Sequence, residues 1–179
     1  MTGAPVFFVD GRPRPQGSKD ALAPGVVRER SPHLKAWRRR VAATARAAGW
    51  NARPSDTPPD KPAAVGIVFV MRRPKSHYTP KGKLRDSAPA FPDTPPDIDK
   101  LTRAILDALT GVCWPDDGRV IVARLVKVYG PREGVGVLVS HAAPVKAGSA
   151  DLRVRPGHEI EDLLPTLDWW PAPTPRASG

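Results

Sequence analysis

The sequence predicts an α+β domain in which a mixed β-sheet packs against two main helices. Short β-branched segments are bounded by Pro and Gly, and two longer segments repeat apolar residues with the period of a helix. The expected order of elements is β-β-α-β-α-β-β. We place this domain over residues 1–140. Residues 141–179 are rich in proline and lack a sustained period, so we expect a flexible tail there.

The first half of the domain is predicted to hold two strands and one helix. The run VFFVDG is apolar and ends at a turn signal, which favours a strand, and VVRER favours a second short strand. The stretch between them is rich in Pro and Gly, so we expect it to be irregular. Ser31 followed by Pro32 is typical of a helix start, and Gly49 is typical of its end. The apolar face of this helix comprises Leu34, Trp37, Val41, Ala45 and Ala48.

The second half is predicted to hold three strands and the second helix. The run AAVGIVFVMRR is dense in β-branched residues and predicts a central strand. A long basic loop follows, and loops of this length are usually functional or disordered. The helix is expected from about Asp97 to Thr110, with Gly111 as its stop. The segments RVIVARLVKVYG and GVGVLVS, joined by PRE, predict two strands paired as a hairpin.

The overall charge points to a polyanionic partner. The net charge is +10 and the pI is near 10.4, but ribosomal and membrane-surface proteins share this balance, so charge alone does not indicate a function. The single cysteine excludes an internal disulfide framework. No segment has the length of a membrane span or the pattern of a signal peptide, so we expect a soluble, cytoplasmic protein.

Four aspartates flank the second helix. Asp97 and Asp99 stand at its start, and Asp116 and Asp117 follow a short turn after its end. We expect the strand after this turn to bring Asp116 or Asp117 back toward Asp97 and Asp99. Carboxylates brought close together repel one another unless a cation lies among them, and Mg²⁺ prefers such oxygen ligands. Arg103, one turn after Asp99, could stabilise the charge that develops during phosphodiester cleavage.

Less specific explanations of these aspartates exist. Helix N-termini favour negative charge, which accounts for one of the first two, and Asp-Asp turns are common. The four histidines are scattered and the cysteine stands alone, so the sequence does not favour a zinc site. Spacing alone therefore leaves the metal site and the helix cap as open alternatives.

The segment from Asp97 to Lys127 closely resembles the signature of the RusA family of Holliday junction resolvases, which phages and prophages commonly encode. The shared pattern is Asp-x-Asp, a helix ending in Leu-Asp-Ala-Leu-Thr, an Asp-Asp pair and a strand that carries a lysine. The N-terminal Pro-Gln-Gly-Ser-Lys also resembles an element of phage-type members. Lys100 stands where the family usually has Asn, and Arg103 where it usually has a catalytic Lys, so either residue could replace that lysine.

The resemblance implies a function and a set of site residues. It implies an endonuclease that resolves four-way DNA junctions by paired symmetric nicks in recombination and repair, as a homodimer that requires Mg²⁺, with Mn²⁺ as a possible substitute. It assigns catalysis to Asp97, Asp99, Asp117 and Arg103, and metal binding to the three aspartates together with Asp116.

Basic residues supply the candidate DNA contacts. The strongest candidates are Lys19, Arg72, Arg73, Lys75, Lys100 and Lys127. A wider set of candidate basic residues comprises Arg12, Arg14, Arg38, Arg39, Arg40, Lys81, Lys83 and Arg85. Tyr78 and Phe91 lie in the long basic loop, where they could stack on unpaired bases or pin the loop to the domain.

Two other functions remain open at this point. The departures at Lys100 and Arg103 are compatible with a DNA-binding protein that has lost catalysis on a degenerate nuclease fold. The basic composition is also compatible with a ribosome-associated or RNA-associated factor.

Overall fold

The computed structural model describes residues 6–17, 19–23, 26–29, 32–50 and 62–141, and for residues 19–23, 26–29 and 32 it describes the backbone alone. The predicted tail, apart from His141, lies outside the described residues. The elements are β1 (Val6–Asp10), β2 (Lys19–Ala23), β3 (Val26–Glu29), α1 (Pro32–Ala47), β4 (Ala63–Met71), α2 (Ile98–Leu109), β5 (Val120–Tyr129) and β6 (Gly134–His141), with 3₁₀ turns at Lys75–His77 and Asp117–Arg119.

Four strands form a mixed sheet in the order β1-β6-β4-β5. Strand β4 pairs in parallel with β5 and antiparallel with β6, while β1 pairs antiparallel with β6. The α+β class and the mixed sheet are therefore confirmed. The predicted hairpin between the last two strands is wrong, because β4 lies between β5 and β6. Eight of the nine residues of β4 are buried, so the strand takes a central position, whereas β5 carries exposed residues along its length and lies at the edge.

Strands β2 and β3 form a separate two-stranded antiparallel sheet. The short strand predicted from VVRER is confirmed as β3, but β2 falls in the stretch expected to be irregular. The segment Lys19–Ala23 has no clear alternation of apolar and polar residues, so its pairing with β3 was not evident from the local pattern.

The two helices form the second layer, and their apolar faces meet the sheet in one core. The predicted stripe of α1 is confirmed, since Leu34, Trp37, Val41 and Ala45 are buried in the core cluster. Helix α2 contributes Leu101, Ala104, Ile105, Ala108 and Leu109 to the same cluster. Gly49 and Gly111 follow the two helices with φ of 97° and 74°, which glycine adopts without a Cβ penalty.

No helix in the described ranges is long and apolar enough to cross a membrane.

Candidate active site

Asp97 occupies the N-cap position of α2 but does not cap the helix with its side chain. Its carboxylate instead accepts a hydrogen bond from Lys100 Nζ at 2.5 Å. This ammonium holds the pKa of the Asp97 carboxyl below its ordinary value, mainly through the hydrogen bond and then through its charge. Helix capping therefore does not account for this aspartate, and its anionic oxygens are exposed at the surface.

Asp99 lies in the first turn of the same helix, and its side chain is also exposed. The two carboxylates are separated by one residue, so both project from the N-terminal end of α2. Arg103 is exposed one turn further along, on the side of the helix that carries Asp99. This end of α2 thus presents two acids and two bases to solvent.

Polar contacts from distant segments hold this end of α2 in place. Lys127 on β5 donates from Nζ to the carbonyl oxygens of Thr94 at 2.9 Å and Pro96 at 3.0 Å. The backbone N–H of Gln16 donates to the carbonyl of Lys100 at 2.9 Å. The N-terminal segment around Gln16 and the end of β5 therefore both meet the start of α2.

Two adjoining clefts lie beside the start of α2, one of them lined by Asp97, and we call them together the basic groove. The cleft of about 600 Å³ is lined by Arg12, Pro13, Arg14, Pro15, Gly17, Pro95, Pro96, Asp97 and Lys100. The cleft of about 490 Å³ shares Arg12, Pro95 and Pro96 with it and adds Arg72, Arg73 and Lys75. A polyanionic chain in the basic groove would pass beside the Asp97 carboxylate.

Asp116 and Asp117 lie at the other end of α2. Asp116 Oδ1 accepts a hydrogen bond from the N–H of Gly118 at 2.9 Å, so it caps the short turn before β5. Asp117 is exposed and begins that turn. The twelve residues of α2 extend over about 18 Å, and β5 runs back about 23 Å from Val120 to Lys127. The two acidic pairs are therefore held far apart.

Consequently, one chain does not bring Asp117 to Asp97 and Asp99, contrary to the expectation from the sequence. Among the described residues, no group of three or more His, Cys, Asp or Glu side chains could hold a metal ion. The turn after α2 leads into the start of β5, and the strand then travels back toward the start of the helix. The sequence pattern indicated the turn but not which end of the strand would meet Asp97.

Comparison with known families identifies the chain. The model of the family "endodeoxyribonuclease RusA" matches residues 10–140, which is most of the sequence. The chain belongs to the RusA family. A search of the curated proteins gave no match. RusA nucleases act on junction DNA, and membership therefore places this protein among the Holliday junction endonucleases.

The basic residues of this RusA chain differ in whether their charged groups already form hydrogen bonds or ion pairs within the chain. Arg73 donates to the carbonyl oxygens of Pro89 at 2.7 Å and Ala90 at 3.4 Å and stacks over the Tyr129 ring at 4.1 Å. It thereby ties the long loop to the sheet. Lys100 is paired with Asp97 and Lys127 with main-chain carbonyls, as described above.

Other basic residues keep their charge available. Within the described residues, the exposed side chains of Arg12, Arg72, Lys75 and Arg103 have no hydrogen-bond or ion-pair partner. Arg12 and Arg14 belong to the wider set of candidates, and the groove lining gives them more weight than sequence alone did. Lys19 lies in β2, where side chains are outside the described part of the chain.

The two loop aromatics of this RusA chain are both exposed. Phe91 is 63% exposed, so it does not pin the loop to the domain. Tyr78 is 38% exposed, and its main chain is held through an isolated bridge to Leu84 and by Arg85, which donates to its carbonyl at 3.1 Å. The pinning alternative is therefore wrong for Phe91, and a role in base stacking stays a prediction.

Proposed function

We propose that this RusA-family protein is a Mg²⁺-dependent homodimer that resolves four-way DNA junctions by paired symmetric nicks. The observation that carries the proposal is the exposed Asp97–Asp99 pair at the start of α2. Asp97 lines the basic groove and does not cap the helix with its side chain. A nuclease needs such acidic ligands beside a surface that attracts phosphates.

The residues at this end of α2 fit a hard divalent cation. Asp97 and Asp99 offer carboxylate oxygens, and Mg²⁺ commonly uses one or two carboxylates with waters and substrate phosphate oxygens. A bound Mg²⁺, or Mn²⁺ in its place, supplies a water that is easily deprotonated and stabilises the charge on the phosphate. The Arg103 guanidinium adds positive charge near Asp99, but as a planar fork rather than a compact ammonium it is suited to an electrostatic role.

A homodimer would complete each site. Asp117 is held at the far end of α2 from Asp97 and Asp99, so each chain supplies two separate acidic pairs. A two-fold dimer would let Asp117 of the partner subunit join Asp97 and Asp99. Two equivalent sites would then face the two-fold axis of a junction, which is the arrangement that paired symmetric nicks require.

Strand β5 is the surface that we propose for this dimer. Within the described ranges, it has β4 on one side and no strand on the other, and it exposes Ile121, Ala123 and Leu125. Ile121 is 56% exposed, which is unusual for a large apolar side chain on a long edge strand. Two β5 edges related by a two-fold axis run antiparallel, so the start of one strand would meet the Lys127 end of the other.

Mixing two inactive variants tests the shared site. Asp99→Asn and Asp117→Asn homodimers should each fail to nick a labelled synthetic four-way junction with Mg²⁺. In a refolded equimolar mixture, half of the dimers should be mixed, and each mixed dimer should keep one intact site. Nicking should therefore recover to about a quarter of the wild-type value. If the site lies within one chain, the mixture should stay inactive.

The oligomeric state provides a separate check of the surface. Ile121→Glu should convert the dimer to a monomer in sedimentation analysis and abolish nicking, because it places a charge in the apolar row. Phe91→Glu, which alters an exposed apolar residue outside β5, should remain dimeric. A dimer that withstands Ile121→Glu would argue against this interface.

A DNA-binding protein without catalysis is the second candidate. The observation that favours it is the Lys100 ammonium on the Asp97 carboxylate, which competes with a cation for those oxygens. Junction incubation with Mg²⁺ distinguishes the two functions: paired nicks support the nuclease, and stable complexes without nicks support the binder. Cleavage of four-way DNA but not of an RNA duplex would exclude an RNA-directed activity.

A further inference from the structure

Strand β5 carries a lysine in a position where the sheet would otherwise be apolar. Lys127 pairs in register with Phe69, whose side chain is fully buried on the helix-facing side of the sheet. Residues paired across neighbouring strands project on the same face, so the Lys127 side chain rises toward the helix layer. Burying part of a charged side chain there is unfavourable unless its donors are satisfied.

The ammonium of Lys127 is satisfied by main-chain carbonyls. It donates to the oxygens of Thr94 and Pro96, which flank Pro95, and within the described residues it forms no ion pair. Pro95 and Pro96 have no N–H groups, so this segment cannot be held by its own backbone donors there. Lys127 therefore supplies the hydrogen bonds that fix the last residues before Asp97.

Those residues determine where α2 begins. The Asp97 carbonyl accepts the first hydrogen bond of the helix, from the N–H of Leu101 at 3.0 Å. A shift of Pro96 would move Asp97 directly and the first turn of α2 with it. Carboxylates that hold a metal must stay within a few tenths of an ångström of their positions, so small shifts of this kind are costly.

We infer that Lys127 is a positioning residue, which orients Asp97 by clamping the Thr94–Pro96 main chain, and that it is not a phosphate contact. The consequence for cleavage rests on the proposed nuclease function, whereas the clamp itself does not. A lysine that spends two of its three donors on carbonyls and is half-buried differs from Arg72 and Lys75, which are exposed in the groove.

Two variants separate the clamp from a DNA contact. Lys127→Met keeps most of the length of the side chain in an apolar row but removes every donor. Lys127→Gln has the same reach as Met but supplies neutral N–H donors without the charge. For Lys127→Met we expect unchanged junction affinity and salt dependence, together with a loss in the nicking rate on the order of 10- to 100-fold, as is usual for residues that orient metal ligands. Lys127→Gln should recover part of that rate.

Amide hydrogen exchange tests the clamp even if the protein proves not to cleave DNA. Lys127→Met should speed exchange of the Leu101 amide at least several-fold while leaving the Thr110 amide, at the other end of α2, at its wild-type rate. The Thr110 value also shows that each variant is folded. Wild-type exchange at Leu101, or a salt slope that falls by about 1 as for the loss of a phosphate contact, would overturn the inference.

Discussion

The two ends of α2 carry the same kind of residue but are built differently. At the C-terminal end, Val112, Cys113 and Trp114 are buried, and the core fixes the turn that follows. At the N-terminal end, Asp97 and Asp99 stay exposed. The Gln16 N–H and the Lys127 ammonium donate to main-chain carbonyls there and hold the start of the helix. The site that we propose here must admit metal and DNA, so it cannot be covered by apolar side chains, and polar contacts would position it instead.

The same contrast applies to the four aspartates that prompted the metal hypothesis. Asp116 makes a hydrogen bond to the turn it caps, while Asp99 and Asp117 have no hydrogen-bond or ion-pair partner within the described chain. Asp97 holds the cap position but gives its carboxylate to Lys100. All four aspartates flank α2 in the sequence, so their positions do not distinguish them. Their contacts do, because some carboxylates already form hydrogen bonds within the chain and others remain able to bind a ligand.

The largest expected effect is at the N-terminal end. Asp99→Asn removes a proposed metal ligand while keeping the shape of the side chain, so nicking of a four-way junction should fall on the order of 10³-fold. Junction affinity in a gel-shift assay should persist, because we expect DNA binding to depend on the basic side chains of the groove. Asp107→Asn is the matched control two turns along α2, where the carboxylate pairs with Arg38, and it should nick normally. Equal losses in both variants would indicate damage to the helix.

Substitutions of the two aspartates at the C-terminal end of α2 should have different effects. Asp117→Asn should lose nicking on a scale similar to Asp99→Asn, with an unchanged melting temperature. Asp116→Ala should nick within a few-fold of wild type but lose about 1 kcal/mol of stability, because the cap on the Gly118 N–H is removed. Thermal unfolding and the junction assay together decide this. The reverse assignment would make Asp116 the ligand.

The basic residues around the N-terminal end of α2 should also differ in their roles, some contacting DNA and others stabilising the fold. Arg72→Gln should lower the slope of log affinity against log salt by about 1, as expected when one phosphate contact is lost, and should leave stability unchanged. Arg73→Gln should reduce stability, since Arg73 ties Pro89 and Ala90 to Tyr129, and should barely alter the salt slope. Titrations of junction binding between low and moderate salt measure the slope. Equal slopes for the two variants would contradict this division.

The sequence predicts the local features of this fold but not the contacts that join distant segments. The apolar period of α2 is local, so its predicted extent agrees with the observed Ile98–Leu109. Strand β5 pairs with residues of β4 that lie 57 or 58 positions earlier, and a hairpin signal could not reveal this pairing. Likewise, the contact of Lys127 with Thr94 joins residues 33 positions apart, and nothing near Lys127 in the sequence signals it. The residue types predict an acidic site, but they do not reveal that one chain holds its carboxylates at two separate ends of α2.

The buried residues at the C-terminal end of α2 lead to a prediction about how the stability of the protein depends on pH. Burial raises the pKa of the Cys113 thiol to about 12 from an ordinary value of 9.0. Because the unfolded chain ionises first, the stability contributed by the neutral thiol is complete below pH 9 and is lost as pH rises from 9 toward 12. The slope should approach about 1.4 kcal/mol per pH unit in that window.

Cys113→Ala is the variant that isolates this contribution, since other groups that titrate above pH 9 are common to both proteins. Its free energy of unfolding should be lower at pH 8, because the sulfur is removed from the core. It should also fall less steeply than the wild type above pH 9, as measured by urea unfolding at a series of pH values. Parallel slopes would mean that the thiol is accessible, and the turn after α2 would then be as open as the acidic end of the helix.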